Sequence, residues 1–152
     1  MNEYIVSDSA CLIALERIGM LGLLSEVFSK VLIPPAVQTE CGIVQPWLQI
    51  EAPSHDTLIR ALRLQVHQGE SEAIVLASER SVACILDDQK ARRVARDVGV
   101  RVIGTVGVIL RAKRHGAIEA VKPILTALVT HGFHLGPGLI DEALRQAGEQ
   151  QA

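Results

Sequence analysis

The chain has few aromatic side chains, and this shortage restricts the fold. Only 3% of its 152 residues are Phe, Trp or Tyr, whereas 49% are hydrophobic. A core of Ile, Val, Leu and Ala suits parallel strands that helices cover on both faces. Sandwiches and barrels usually contain more aromatic residues. We therefore expect an α/β fold.

Cysteine and long hydrophobic runs are also scarce. The three cysteines, Cys11, Cys41 and Cys84, are odd in number and widely spaced. We expect them to be reduced core residues rather than parts of a disulfide framework or zinc site. No apolar run approaches the ~18 residues of a membrane span, and the first residues lack the basic and apolar pattern of a secretory signal. These absences predict a cytoplasmic protein with no membrane partner.

Neither sign of charge dominates. The 15 basic and 17 acidic residues give a formal net charge of −2, and the estimated pI is 6.2. A general basic coat is absent, so nucleic-acid binding would require a local patch or a metal ion. The length fits one domain. We place it at residues 1–148 and expect residues 149–152 to form a frayed tail.

The stretch from residue 81 to residue 92 is the most informative. A short apolar run ends in Asp87 and Asp88, and a helical pattern with basic residues follows. This pattern is typical of a buried parallel strand that delivers acids to the carboxyl edge of a sheet, where ligands bind in open α/β folds. Lys90, Arg92 and Arg93 follow the pair and are candidates for holding a phosphodiester backbone.

Asp8 occupies an equivalent position, because it follows an apolar strand and precedes a helix that Ser9 is predicted to cap. Further short strands are predicted at residues 31–33, 48–50, 83–86 and 101–103. Their alternation with helices indicates a doubly wound α/β fold.

The acids are expected to share one edge, because parallel strands place their carboxyl ends together. Glu40, Glu70 and Glu72 lie near helix ends and could lean over the same rim. Crowded carboxylates repel one another, and a set of oxygen ligands suits Mg²⁺ or Mn²⁺. Such a site suggests phosphoryl chemistry. The simpler alternative is that each acid caps a helix or meets its dipole.

Four blocks of the sequence together resemble the PIN domain family, most closely its prokaryotic PIN-like nucleases and VapC-like toxins. In chain order they are residues 5–15 (IVSDSACLIAL), 31–40 (VLIPPAVQTE), 69–77 (GESEAIVLA) and 85–92 (ILDDQKAR), the last followed by 102–107 (VIGTVG). The resemblance implies a three-layer α/β/α sandwich with a central, mainly parallel sheet. It also implies a Mg²⁺- or Mn²⁺-dependent ribonuclease, and in many cases a homodimeric toxin that a small antitoxin protein neutralises.

The resemblance assigns the metal-site acids by position. They would be Asp8, Glu40, Glu70 and Asp88. Two departures leave alternatives open, because the third block also offers Glu72 and the acid of the fourth block is doubled by Asp87. The place two residues before Asp88, where Thr or Ser is frequent in the family, is Leu86.

Two other functions remain as alternatives. One is a catalytically silent PIN-like interaction subunit. The other is a receiver-like signalling module, which would need a Lys after a late strand, whereas Ile103 leads into Gly104 and Thr105. His131 and His134 have a spacing that could seat a metal, although Gly132 favours a helix end there. The basic cluster at residues 111–115 either complements a helix dipole or contacts RNA.

Overall fold

A computed structural model describes residues 3–150 of the chain. Its strands are β1 (Tyr4–Ser7), β2 (Lys30–Ile33), β3 (Leu48–Ile50), β4 (Ala83–Ile85) and β5 (Val102–Ile103). They form one sheet in the order β3-β2-β1-β4-β5, and all four pairings are parallel. The predicted α/β fold with a parallel sheet is therefore confirmed.

Helices connect the strands and follow them. Over the described residues they are α1 (Ser9–Arg17), α2 (Leu23–Val27), α3 (Pro35–Cys41), α4 (Asp56–Leu62), α5 (Gln68–Arg80), α6 (Gln89–Val98), α7 (Thr105–Arg114), α8 (Lys122–Thr130) and α9 (Pro137–Ala147).

Alternating strand residues divide the core between the two faces of the sheet. Ile5 and Ile85 belong to a cluster with α1, α2, α7, α8 and α9. Val6 and Cys84 belong to a second cluster with α4, α5 and α6. Successive side chains of a strand point to opposite faces, so one run of buried aliphatic residues serves both layers. This is the three-layer α/β/α sandwich that the resemblance implies.

The strand order reverses direction between β1 and β4, and the candidate site lies at the carboxyl ends of these two strands. From β1 the chain moves outward to β2 and β3, and it then returns to the other side of β1 as β4. Ser7 pairs with Ile85, and the amide of Asp8 donates to Ile85 O at 3.1 Å. The residues that follow these two strands therefore meet at the topological switch point, where open α/β sheets bind ligands.

Some local predictions differ from the structure. The N-cap of α1 is Asp8, whose side chain accepts from the Cys11 amide, rather than Ser9. Cys11 and Cys84 are buried free thiols as expected, but Cys41 at the end of α3 is only half-buried. Glu149, the first residue of the predicted tail, is bonded to Lys113 and to backbone amides at the start of α8. Residues 151 and 152 lie outside the described part of the chain.

Candidate active site

Asp8 lies at the centre of the candidate site. It directly follows β1, and its side chain is almost completely withdrawn from water at 5% exposure. Its Oδ1 accepts from the Cys11 amide at 3.1 Å. Burial, the charge of Asp87 and, to a lesser extent, that of Glu70 raise the pKa of Asp8 to about 8 against the opposing hydrogen bonds. The fold therefore holds this carboxyl where ionisation is strongly opposed.

Asp87 and Asp88 point to different partners although they are neighbours in sequence. Asp87 Oδ1 accepts from the Thr105 amide at 2.9 Å, and its Oδ2 accepts from Thr105 Oγ1 at 2.6 Å. Asp88 is the N-cap of α6, and its Oδ2 accepts from the Ala91 amide at 2.9 Å. The charge of Asp87 raises the pKa of Asp8, whereas the charge of Asp88 raises that of Glu70. The pair thus lies between two other acids.

Glu70 is buried in the first turn of α5 beside a histidine. Burial raises the pKa of its carboxyl, His67 opposes that rise, and the charges of Asp88 and Glu40 add to it. His67 Nδ1 accepts from the Glu70 amide at 3.4 Å, and His67 Nε2 lies 3.3 Å from Glu70 Oε1. Because Nδ1 accepts, the proton of the neutral ring belongs on Nε2, facing the carboxylate.

The sequence did not lead us to expect that His67 contacts Glu70 or that Thr105 contacts Asp87. A histidine three residues before Glu70 has the spacing of a reciprocal helix cap, and this signal was present in the sequence. The contact between Thr105 and Asp87 joins residues 18 positions apart, so no local pattern reports it.

Glu40 and Glu72 have different hydrogen-bond partners. Glu40 Oε2 accepts from Ser9 Oγ at 3.2 Å, and a Cβ added at Gly69 would lie 1.9 Å from Glu40 Oε1. The carboxylate of Glu40 thus lies directly over Gly69, next to Glu70. Glu72 instead accepts from the Ala36 amide at 3.3 Å and from Gln68 Nε2 at 2.9 Å, so it is bonded to the start of α3.

The donor set is compatible with a hard divalent cation. Asp8 has no ion-pair partner among the salt bridges of the described residues, and its neighbours add only negative charge. Carboxylate oxygens are the ligands that Mg²⁺ and Mn²⁺ prefer. Between residues 3 and 150, however, no three His, Cys, Asp or Glu side chains are grouped closely enough to form a ready-made ion site. The acids are instead paired with helix amides and hydroxyls, so binding an ion requires some side chains to turn.

The basic residues predicted to hold RNA lie on α6, immediately after Asp88. Lys90 and Arg93 are exposed, and together with Arg92 and Arg96 they line a groove of about 670 Å³. Arg92 is half-buried, and its Nη1 donates to Leu86 O at 3.0 Å, which ties it to the end of β4.

In the second basic cluster, at residues 111–115, two side chains form ion pairs within the fold. Arg111 pairs with Glu3 at 3.0 Å and lies over the Phe28 ring, 5.7 Å from its centroid. Lys113 pairs with Glu149 at 2.8 Å. These contacts account for the basic charge of Arg111 and Lys113 without a role in RNA binding.

Comparison with known proteins places the whole architecture in one family. A family model described as a PIN domain matches residues 4–149, and a search of curated proteins gives no match. PIN domains are generally nucleases and typically use divalent metals, which agrees with acids gathered at the carboxyl edge. Within the described residues, no helix has the length and apolarity needed to cross a membrane. The chain belongs to the PIN domain family.

Proposed function

We propose that this PIN domain is a Mg²⁺- or Mn²⁺-dependent endoribonuclease that hydrolyses RNA phosphodiesters. Asp8, Glu40, Glu70 and Asp88 would hold the ion, with Asp87 against Asp8 as a further acid. The bonds of Glu72 to Ala36 and Gln68 favour Glu70 as the member from α5. Asp87 has both oxygens bonded to Thr105, which favours Asp88 as the ligand of that pair.

The observation that carries the proposal is the environment of Asp8. A carboxyl with a pKa of about 8 is poorly suited to a purely structural role at neutral pH, because one helix cap does not require deep burial among other acids. A divalent cation would favour the ionised form, since opposite charge lowers a carboxyl pKa. Burial, acid neighbours and position at the switch point therefore all support a cation site.

The surrounding residues have distinct tasks in this proposal. Thr105 fixes Asp87 with two hydrogen bonds, His67 orients Glu70, and Ser9 orients Glu40. The basic groove on α6 would hold the RNA backbone beside these acids. A bound ion would supply an activated water and offset negative charge on the phosphate.

The direct test is cleavage of a labelled single-stranded RNA. We expect cleavage with Mg²⁺ or Mn²⁺, none with EDTA, and suppression by Asp8→Asn. Asp141→Asn, which removes an exposed acid of α9, is the matched control and should cleave normally. Cleavage that persists in purified Asp8→Asn protein would overturn the assignment.

A catalytically silent interaction subunit is the second candidate. It is favoured by the absence, within residues 3–150, of a ready-made group of three ligands. Titration calorimetry separates the two, because the nuclease is expected to bind Mn²⁺ with wild-type Asp8 and not with Asp8→Asn. No heat of Mn²⁺ binding to the wild type would favour the silent subunit.

We further propose that the nuclease acts in the cytoplasm as a homodimeric toxin controlled by a small antitoxin protein. Val44 and Leu64 are 80% and 87% exposed, and such apolar surface is compatible with a covering partner. A neighbouring reading frame for a small DNA-binding protein, whose product relieves growth arrest on co-expression, would support this role. Normal growth during strong expression of the chain alone would contradict it.

A further inference from the structure

A second groove lies on the opposite side of the sheet from α6. It has a volume of about 340 Å³ and runs between α1 and the segment that follows α8. Its lining includes an aromatic ring, an arginine and two histidines, and contains no acid: Ala10, Ile13, Ala14, Arg17, Leu128, His131, Gly132, Phe133 and His134.

One wall of this groove is a continuous stripe on α1. Ala10, Ile13, Ala14 and Arg17 have the spacing of one helix face, and the stripe is about 10 Å long at 1.5 Å per residue. Its first residue follows Ser9, which bonds Glu40, and lies two positions after Asp8. The groove therefore begins beside the candidate active site and leads away from it.

The other wall offers the chemistry that a nucleotide requires. Phe133 is one of only two phenylalanines in the chain, and it is half-buried, packing against the core while it lines the groove. Aromatic rings are stacking platforms for unpaired bases. Arg17 is exposed at the far end of the stripe, where it can pair with a phosphate.

The histidines add hydrogen-bonding capacity. His131 Nδ1 lies 2.9 Å from Ala127 O. A carbonyl oxygen can only accept, so the proton is on Nδ1 and Nε2 of the neutral ring is an acceptor. Such an acceptor suits a donor on a base edge or a ribose hydroxyl.

We propose that this groove binds a nucleotide of single-stranded RNA, with the base against Phe133 and a phosphate against Arg17. The inference rests on the proposed function and deepens it. The strand would run from the basic groove of α6, across the acids at the carboxyl edge, into the groove beside α1. The two surfaces belong to opposite layers of the sandwich, so the scissile phosphate would lie between them.

The test is binding of a fluorescein-labelled single-stranded RNA to the full chain in EDTA, measured by fluorescence anisotropy. The ion is removed, so the result does not depend on cleavage. Phe133→Leu keeps an apolar side chain and should weaken binding at least about fivefold, since base stacking on aromatic rings is worth that or more. Arg17→Gln should weaken binding and reduce the slope of log affinity against log salt by about 0.7, the value for one phosphate contact on a single strand. Arg63→Gln removes an exposed charge on the opposite layer and should change neither quantity.

Three outcomes would overturn the inference. The first is unchanged affinity and salt slope in both groove variants while Arg93→Gln weakens binding, which would confine RNA to α6 and leave the proposed function standing. The second is a change of oligomeric mass in light scattering with unchanged RNA affinity, which would make the groove an interface between protein chains. The third is an absence of RNA binding by the wild type, which together with an absence of cleavage would remove the proposed function as well.

Discussion

Replacing Asp8 with Asn should stabilise the metal-free protein, and it should do so more strongly as the pH rises. Asn keeps an oxygen that can accept from the Cys11 amide, but it carries no charge. The ordinary pKa of this carboxyl is 3.8, and burial together with the neighbouring carboxylates raises it to about 8 in the folded chain. The substitution therefore removes an ionisation that opposes folding.

The size of the effect follows from the raised pKa. Between pH 3.8 and about pH 8, the unfolded chain has released a proton that the folded chain retains. The folded state binds more protons, so stability falls as pH rises through this window, by up to about 1.4 kcal/mol per pH unit. The penalty reaches a plateau of roughly 6 kcal/mol above pH 8, as an upper bound. At roughly 2–4 °C per kcal/mol, Asp8→Asn should melt up to about 10–20 °C above the wild type at pH 8, and only a few degrees above it at pH 5.

The assay is thermal unfolding of both proteins in EDTA from pH 5 to pH 9. The electrostatic reasoning would be refuted if the melting temperatures of the two proteins changed equally with pH. It would also be refuted if Asp8→Asn were less stable than the wild type at pH 8. Adding Mn²⁺ provides a second readout, because a ligand of the folded state raises its melting temperature. The wild type should respond and Asp8→Asn should not. If stability depends on pH as expected but Mn²⁺ does not raise the melting temperature, the buried acid at Asp8 is supported and the proposed cation site is rejected.

Two further predictions concern residues that position the acids. Gly69→Ala should slow RNA cleavage without lowering the melting temperature, because its Cβ would lie 1.9 Å from Glu40 Oε1 and displace a flexible side chain, while Ala favours the helix by up to about 1 kcal/mol. Gly138→Ala, also at the second position of a helix but with nothing within 4 Å, is the matched control and should gain stability with unchanged cleavage. Thr105→Val should lower stability by about 1–3 kcal/mol, as expected for a lost hydrogen bond to a charged group. It should also weaken Mn²⁺ binding, because Asp87 keeps only the backbone amide and no longer holds a fixed negative charge against the proposed ligand Asp8. Unchanged cleavage in the Gly69 variant, or unchanged Mn²⁺ affinity in the Thr105 variant, would contradict the corresponding positioning role.

The fold was predictable because its signals are short in range. Each strand is a brief aliphatic run with acids or turn residues at its end, and the next helix, which is α1, α3, α4, α6 or α7, begins soon after that end. Parallel pairing then requires the carboxyl ends to share an edge, so the meeting of Asp8 with Asp87 follows from sequence pattern and geometry alone. The basic face of α6 follows from helical periodicity in the same way.

The direction of individual carboxylates was not predictable. Glu70 and Glu72 are two residues apart on one helix, yet Glu70 lies beside His67 and near Asp88, whereas Glu72 bonds the start of α3. Likewise Ser9, expected to cap α1, bonds Glu40 instead. These outcomes depend on which backbone amide or side chain a neighbouring element presents, and sequence spacing does not contain that information.

By itself, the sequence determined that this chain is a doubly wound α/β protein with acids at the ends of its strands, because local hydrophobic pattern and turn chemistry decide those features. The tertiary structure decided how deeply Asp8 is buried, which acid lies against it, and that an aromatic, cationic groove opens beside α1. These properties arise from the packing of helices that are far apart in the chain, and burial among other charges is what raises a pKa to about 8.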